Sequence, residues 1–465
     1  MGTIVKNFSW VLFAQVTVLL ISIGRAIILP KFLSVDGFGY WELYWFYSSY
    51  VAIFCFGYND GIYLQYGECN YSQLPLREIR SANRLLLRLL IGISILGIII
   101  LSVCNINVNT RLPFIFIALN IPIVCITGVL IYVYQITNQF RQYSFFSVID
   151  KILVFLTIIA LVAFDELYYP YVIVADFFGR LMVVGLMVIN RKDMFIGEVD
   201  SIKESWMYLL LNAKVGIKLM IANLMGMLLI GAGKIIVQVL GNISDFAEYS
   251  FGLSITGLVL TAVTAISLVL YPTIKRITSE KYSQLFCDIN AMTRLLGFLS
   301  LLIYFPCFIF IEYFYPKYVS VLPYMNLFFV IVFANIKISV VNNTFYKVLR
   351  KENEMLKANM GCILFFSITC MSVFYFIPEI YIIALFTAIA LLMRYILSEI
   401  YLSKQLLIIP YKNIIVEIIF ILIFCISTIK CNLTTSMITM LIIFALWNIY
   451  SYKNNHRLIA RLIKI

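Results

Sequence analysis

The chain has 465 residues, of which 63% are hydrophobic and 12% are charged, and its mean hydropathy is +0.98. A soluble globular protein is about half apolar and about one quarter charged, so this composition excludes a protein whose whole surface faces water. The formal net charge of +12 does not indicate nucleic-acid binding, because the sequence contains no basic soluble domain with interleaved aromatic residues.

Long apolar stretches follow one another along the chain, and each approaches the roughly 20 residues that an α-helix needs to cross a bilayer. We predict an all-α polytopic membrane protein with about fourteen transmembrane helices. The first apolar run lacks a small-residue cleavage site, so we interpret it as a span rather than as a signal peptide. The predicted spans are 9–30, 41–62, 85–104, 112–135, 148–165, 170–190, 212–236, 246–270, 295–315, 321–345, 358–377, 380–402, 413–429 and 434–450.

The second predicted span is amphipathic. Glu42, Tyr44, Ser48 and Asn59 interrupt its apolar residues. Such a helix is accommodated better beside a polar cavity than in lipid on all sides.

Basic residues are distributed unevenly between alternate segments, which comprise the loops and the adjoining ends of the spans. One set holds most of them, including Lys151 and Arg294, whereas the opposite set holds only Lys31, Arg111, Lys317 and Lys430. Because cytoplasmic loops are enriched in Lys and Arg, this asymmetry predicts that both termini are cytoplasmic. Two cytoplasmic termini require an even number of spans.

The longest predicted loop, 191–211, is rich in charged residues and is interpreted as a cytoplasmic linker. It divides the chain into an N-terminal lobe (1–190, spans one to six) and a C-terminal lobe (212–402, spans seven to twelve). Residues 403–465 contain two further spans and a basic cytoplasmic tail.

The two lobes resemble each other at a few positions. Gly24-Arg25, Asp36 and Tyr40 match Gly233-Lys234, Asp245 and Tyr249 with one common offset in residue number. A unit of six spans is even, so the repeats have parallel topology, related by an axis along the membrane normal. Transporters built in this way bind substrate between their halves. We therefore predict two pseudo-symmetric six-helix lobes around a central cavity; coincidence is the alternative explanation.

Several cations lie inside predicted spans, where each costs roughly 2.5–3.5 kcal/mol on insertion scales. For Lys218, snorkelling to the membrane surface is the alternative to a cavity role. Arg180 has Asp176 one turn away, which allows an internal ion pair, and Glu399 could partner Arg394 from the next turn. The candidate cavity cations are Arg25, Lys234, Lys218, Arg180, Lys337 and Arg394, and the candidate coupling or ion-pair acids are Asp60, Glu68 and Asp176.

Arg25 and Lys234 have no acidic residue within one helical turn, and they occupy matched positions in the two lobes. Structural or interfacial anchoring is the alternative to a cavity role for both. A cavity with more cations than acids prefers an anion, and phosphate binds Arg and Lys strongly where water is excluded. We therefore expect an anionic amphiphile as the substrate.

Chemistry on the substrate is not indicated. The ten Cys residues are scattered, many within apolar runs, and His456 is the one His of the sequence. No Walker motif, catalytic-triad spacing or Cys/His cluster occurs. We expect neither a cofactor nor a metal, and we do not expect an enzyme.

Five short stretches carry a family likeness: residues 29–41 after the first span, residues 57–62 with Glu68 in the second, and residues 233–236, 248–250 and 271–272 in the seventh and eighth. They resemble bacterial polysaccharide flippases of the O-antigen (Wzx-like) branch of the multidrug/oligosaccharidyl-lipid/polysaccharide (MOP) exporter superfamily. By this resemblance Arg25 is the first-span cavity cation and Lys234 the seventh-span charge. Gly233 stands where many relatives carry an Asp.

The resemblance implies a flippase that moves an undecaprenyl-diphosphate-linked oligosaccharide, such as an O-antigen or capsule repeat unit, from the cytoplasmic to the periplasmic leaflet of the bacterial inner membrane. Its partners would be this lipid-linked glycan, membrane lipids, and a polysaccharide polymerase and chain-length regulator, with no nucleic acid. We expect alternating access, with spans thirteen and fourteen offering a groove for the prenyl chain.

Three alternatives remain. A drug or cation antiporter of the same superfamily would need twelve spans and a cavity dominated by carboxylates. A lipid II flippase differs from the main hypothesis only in its substrate. A membrane-embedded polymerase or ligase usually carries a large periplasmic loop, and every predicted outer loop here is short.

Overall fold

The computed structural model describes the backbone of residues 2–67, 69–275, 279–377 and 379–462, and the side chains within these ranges except those of 2–8, 229, 262–275, 279 and 450–462. All regular structure in this part of the chain is helical. The α-helices are α1 Gly2–Phe32, α2 Val35–Tyr50, α3 Tyr58–Gln65, α4 Leu76–Val103, α5 Val108–Ile136, α6 Phe140–Ala163, α7 Tyr169–Asn190, α8 Ile202–Leu240, α9 Ile243–Lys275, α10 Tyr282–Phe314, α11 Met325–Ile336, α12 Asn343–Val348, α13 Glu352–Phe376, α14 Ile380–Gln405, α15 Tyr411–Lys430 and α16 Leu433–Leu462.

Eleven helical segments of the described chain are long and apolar enough to cross a membrane, and shorter apolar helices occur at Ile230–Leu240 and Leu433–Ile449. When α2 is grouped with α3, and α11 with α12, the helices follow the order of the fourteen predicted spans. The predicted fold class, an all-α polytopic membrane protein, is confirmed.

The second span is broken rather than continuous. A 3₁₀ turn, Val51–Cys55, follows α2, and the next two residues are left-handed, with φ of 49° at Phe56 and 80° at Gly57. Gly57 supports this conformation at no steric cost, whereas it is unusual for a bulky side chain such as that of Phe56. The chain then continues in α3. The break lets α2 and α3 take different directions within one predicted span.

Glycine residues allow α3 and α8 to approach each other closely. A side chain on Gly61 would collide with the backbone carbonyl of Asn212, and a side chain on Gly216 would collide with the backbone of Gly57 and Gly61. Small residues of this kind allow helix backbones in membranes to approach closely. The first half of α8 is therefore held against α3 by backbone contact.

The chain forms two compact units, Met1–Leu224 and Met225–Ile465. The boundary falls inside α8, which begins at Ile202, about ten residues earlier than the predicted seventh span. In the second unit, α11 is buried at every position and packs against α9, α10 and α14. A helix that is apolar on all sides is expected at such a central place.

The segment after α7 is bound to the first unit. Arg80 donates hydrogen bonds to the carbonyl oxygens of Asp193 and Glu198, both at 2.7 Å, and Arg84 donates to that of Phe195 at 2.6 Å. Basic residues at the start of α4 thus satisfy carbonyl groups of this loop that would otherwise need another donor. The division of the chain at 191–211 stays a prediction.

Candidate anion-binding cavity

The first unit encloses a cavity of about 410 Å³ between α1, α2, α5, α6 and α7. This volume lies within the usual range of small-molecule sites. Most of its lining is apolar, and its polar lining residues are Arg25, Ser48, Ser49, Thr127, Tyr143, Ser147, Asp150, Lys151, Asp176 and Arg180. The polar side of the amphipathic second span contributes Ser48 and Ser49, as its sequence pattern predicts.

Arg25 enters the cavity from α1. Its guanidinium carbon lies 3.6 Å from the ring centroid of Trp45 and 5.7 Å from that of Trp41. Among the described residues, no carboxylate oxygen lies within 4 Å of its nitrogen atoms. A desolvated cation–π contact is worth about 2 kcal/mol, so the indoles hold the cation without neutralising its charge.

Arg180 and Asp176 form the ion pair that their four-residue spacing allows. Arg180 Nε lies 2.7 Å from Asp176 Oδ2, and Asp176 Oδ2 also accepts the hydroxyl of Tyr44 at 2.6 Å. The Tyr44 oxygen in turn accepts the amide of Asn120 at 2.8 Å. This chain of hydrogen bonds fixes the carboxylate against one wall of the cavity.

A second pair lies on α6. Lys151 Nζ is 3.1 Å from Asp150 Oδ1, and it also donates to the carbonyl of Ser147 at 3.0 Å. The lining therefore contains three cations and two carboxylates, and Arg25 is the cation left over after pairing. An anion that enters this cavity meets a net positive lining in a largely apolar surround, where electrostatic attraction is strong.

The second unit holds its cations differently. Lys337 is fully buried, and its Nζ contacts Asn290 Oδ1 at 2.6 Å, Glu417 Oε1 at 2.9 Å and Glu399 Oε2 at 3.2 Å. Arg294 Nε lies 2.7 Å from the same oxygen of Glu417. Arg294, predicted in the cytoplasmic segment directly before the ninth span, lies within α10 and is only 8% exposed; its side of the membrane stays a prediction.

The prediction that Glu399 could partner Arg394 is wrong. Glu399 pairs with Lys337, whereas Arg394 donates to Asn359 at 2.5 Å, to Asn343 at 3.2 Å and to Ser398. Arg394 is fully buried among these neutral oxygens. Neither it nor Lys337 lines the cavity of the first unit.

The remaining candidates lie elsewhere. Lys218 is exposed on α8, and Lys234, half-buried on the same helix, has its Nζ 5.9 Å from the ring centroid of Phe246. Asp60 is buried and accepts the hydroxyl of Tyr132 at 3.4 Å. Glu68 lies outside the described residues. The structure thus brings Arg25, Asp176 and Arg180 together in one cavity, and the shared cavity for Arg25 and Lys234 stays a prediction.

Some residues of the site were not selected from the sequence. Trp45 follows Arg25 by twenty positions on another helix, and Asp150 and Lys151 lie at the predicted start of the fifth span. Two aromatic residues in an already amphipathic helix, Trp41 and Trp45, were the available signal for a stacked cation. Glu417 and Arg294 carried no such signal, because these two partners of one ion pair are 123 positions apart.

The fold is shared with solved membrane transporters. The chain is similar to the lipid II flippase MurJ in its inward-closed conformation, with 12% identity, a TM-score of 0.61, and coverage of 97% of this chain and 99% of that chain.

Two further neighbours are more distant. The MATE transporter VcmN of Vibrio cholerae shows 10% identity and a TM-score of 0.53, over 87% of this chain and 96% of its own. A MOP superfamily transporter from Pyrococcus furiosus shows 11% identity and a TM-score of 0.51, over 87% of this chain and 95% of its own. No family model and no curated protein matches the sequence. At these identities the comparisons establish a fold common to MOP superfamily transporters.

Proposed function

We propose that the protein is a flippase for an undecaprenyl-diphosphate-linked oligosaccharide, an O-antigen or capsule repeat unit, and that it moves this lipid from the cytoplasmic to the periplasmic leaflet by alternating access. The observation that carries the proposal is Arg25, a cation that lines the cavity, stacks on Trp45 and keeps its positive charge uncompensated. A diphosphate is the part of such a lipid that this cation would bind.

The cavity lining suits the rest of a lipid headgroup. Ser48, Ser49 and Thr127 offer hydroxyl groups that exchange hydrogen bonds with sugar hydroxyls, and Trp45 offers a flat apolar face. Asp150 and Asp176 compensate the charges of Lys151 and Arg180, so the positive charge left for a diphosphate is that of Arg25. This arrangement favours one position of the anion, close to Arg25.

A positively charged substrate fits this cavity poorly. A cationic drug needs an unpaired carboxylate, and both lining carboxylates are bound to cations, Asp176 to Arg180 and Asp150 to Lys151. MurJ also aligns with a larger share of this chain than the MATE transporter does, 97% against 87%. Both observations support a flippase over a drug or cation antiporter.

Lipid II is the second candidate substrate, because the similarity to the lipid II flippase MurJ extends over 99% of that chain. Expression of the protein in cells depleted of their lipid II flippase separates the two substrates. We expect no rescue of growth. Full rescue would show that lipid II is transported.

The decisive cellular experiment is deletion of the gene from its source bacterium. We expect undecaprenyl-linked oligosaccharide to accumulate at the cytoplasmic face and surface glycan to be lost, and the wild-type gene should reverse both effects. Intact surface glycan without accumulation would contradict the proposal. An Arg141→Ala gene is the matched control for cavity variants, since Arg141 also faces a Trp ring, 5.8 Å away, but does not line the cavity.

A further inference from the structure

The buried charges of the second unit form a compact cluster from four helical segments: Arg294 of α10, Lys337 of the π-helical segment Lys337–Asn342, Glu399 of α14 and Glu417 of α15. None of the four is more than 8% exposed. Two cations face two carboxylates, so the cluster is neutral when all four are charged. The proposed substrate site does not use it.

The two carboxylates differ in their number of hydrogen-bond and ion-pair partners. Glu417 Oε1 accepts Arg294 at 2.7 Å and Lys337 at 2.9 Å, and Glu417 Oε2 accepts the hydroxyl of Tyr395. Glu399 Oε2 has only Lys337, at 3.2 Å, and makes no hydrogen bond of proper geometry to any described residue. Because hydrogen bonds and opposite charges stabilise the ionised form, a proton added to this pair is held on Glu399.

The chemistry of the cluster favours a proton over a metal ion. Lys337 Nζ is 3.2 Å from Glu399 Oε2, and Arg294 is bound to the neighbouring carboxylate, so a metal cation would be repelled at this position. A proton needs one lone pair and no further ligands. After protonation, Lys337 would keep its contacts with Glu417 and Asn290, and no buried charge would be left without a partner.

A polar path leads from Glu399 toward the end of α14. Ser403 lies one helical turn further on the same face, about 6 Å along the axis, and its Oγ is buried without a hydrogen-bond partner among the described residues. The helix ends at Gln405, on the side that the basic loops predict to be cytoplasmic. Two unsatisfied oxygens one turn apart are a site for a bridging water, which can carry a proton.

We propose that Glu399 is a proton-binding site of the second unit, reached past Ser403, and that its protonation releases α14 from Lys337. The titratable and charged groups facing Glu399 are Lys337, Glu417, Arg294, Tyr395 and Cys287. Lys337 opens a π-helical segment, a distortion that is common at functional sites. That this proton supplies the energy for translocation rests on the proposed function; the proton site itself does not.

Infrared difference spectroscopy of the purified protein in lipid vesicles, without substrate, tests the site. Lowering the pH should produce the C=O band of a buried carboxylic acid, and Glu399→Gln should remove it. Asp60→Asn, which alters a buried carboxyl of the first unit, should retain it. Absence of a titrating band in the wild type, or its persistence in Glu399→Gln, would overturn the proposal.

Two further variants test the proton site and its path if Glu399→Gln does not fold. Glu399→Asp should shift the band, and Ser403→Val should slow its appearance after a pH jump without changing its amplitude. An unchanged rate in Ser403→Val would overturn the path. For coupling, flipping of undecaprenyl-diphosphate oligosaccharide in vesicles should respond to a pH gradient in the wild type and not in Glu399→Gln. A wild-type flipping rate that does not change with the pH gradient would overturn the coupling role but not the proton site.

Discussion

In the first unit, Arg25 lines a cavity, stacks on Trp45 and has no carboxylate within 4 Å among the described residues, whereas in the second unit Lys337 and Arg294 are enclosed and share Glu417. Both arrangements place cations deep in a membrane protein. The difference lies in the partners and in the space left beside the charge. An uncompensated cation beside a cavity is suited to bind an anion, and a balanced, closed cluster is suited to hold helices together or to exchange a proton.

The largest expected effect comes from opening the closed cluster. Glu417→Ala would leave Arg294 and Lys337 with only Glu399, and removal of one partner from a buried ion pair costs about 3–5 kcal/mol. We expect a marked fall in folded protein and in thermal stability, measured by fluorescence-detected size-exclusion chromatography. The control is Glu354→Ala, at the exposed pair with Lys357, which should change neither. Wild-type stability in Glu417→Ala would show that the cluster does not hold α15.

Removal of the uncompensated cation should affect transport and not folding. A hydrogen bond to a charged group contributes about 1.5–3 kcal/mol, so Arg25→Ala should reduce surface-glycan export roughly 10–100-fold with normal protein levels. Arg25→Lys should be intermediate, because it keeps the charge and loses the planar fork. Export is measured by surface-glycan labelling. If Arg25→Ala lost as much folded protein as Glu417→Ala, Arg25 would have a structural role like that of Lys337.

The first unit should be sensitive at its glycine contact. Gly61→Ala forces a methyl group onto the Asn212 carbonyl, and overpacking of this kind costs about 1–3 kcal/mol. Thermal stability should fall. Gly92→Ala, on α4 with open space around it, should be neutral or slightly stabilising. Unchanged stability in Gly61→Ala would show that α3 and α8 separate at little cost.

The smallest effect concerns the segment after α7. Arg80→Ala removes hydrogen bonds to the carbonyls of Asp193 and Glu198, a loss of about 1 kcal/mol. Limited proteolysis should cut this segment faster than in the wild type. Arg88→Ala serves as the control, because Arg88 is exposed on the same helix. Equal cleavage of both variants would show that the loop is held by other contacts.

Much of the fold is readable from the sequence, because each span needs a long apolar stretch and the loops between them are short. The break at Phe56–Gly57 is not readable, since a phenylalanine in the left-handed region has no sequence signature, and the contact of Gly61 with α8 joins distant positions. Arg294 was predicted to precede the ninth span, whereas α10 begins twelve residues before it. Its pairing with Glu417 joins two distant helices and could not be read from the local sequence.

The candidate site was predictable in part. Arg25 could be selected because no acid lies within a helical turn of it, and the pairing of Arg180 with Asp176 follows from their spacing. The partners of these residues that complete the cavity and the buried cluster come from other helices. Trp45 reaches Arg25 from α2, and Glu399 reaches Lys337 instead of Arg394. Neighbours of this kind depend on helix packing, which a local pattern does not contain.

Binding of undecaprenyl diphosphate to the purified protein, measured by native mass spectrometry, tests the central claim most directly. The wild type and Arg141→Ala should bind this lipid, and Arg25→Ala should lose most of the bound fraction while remaining folded. Equal binding by Arg25→Ala and the wild type would show that the uncompensated cation of the first unit does not recognise the diphosphate.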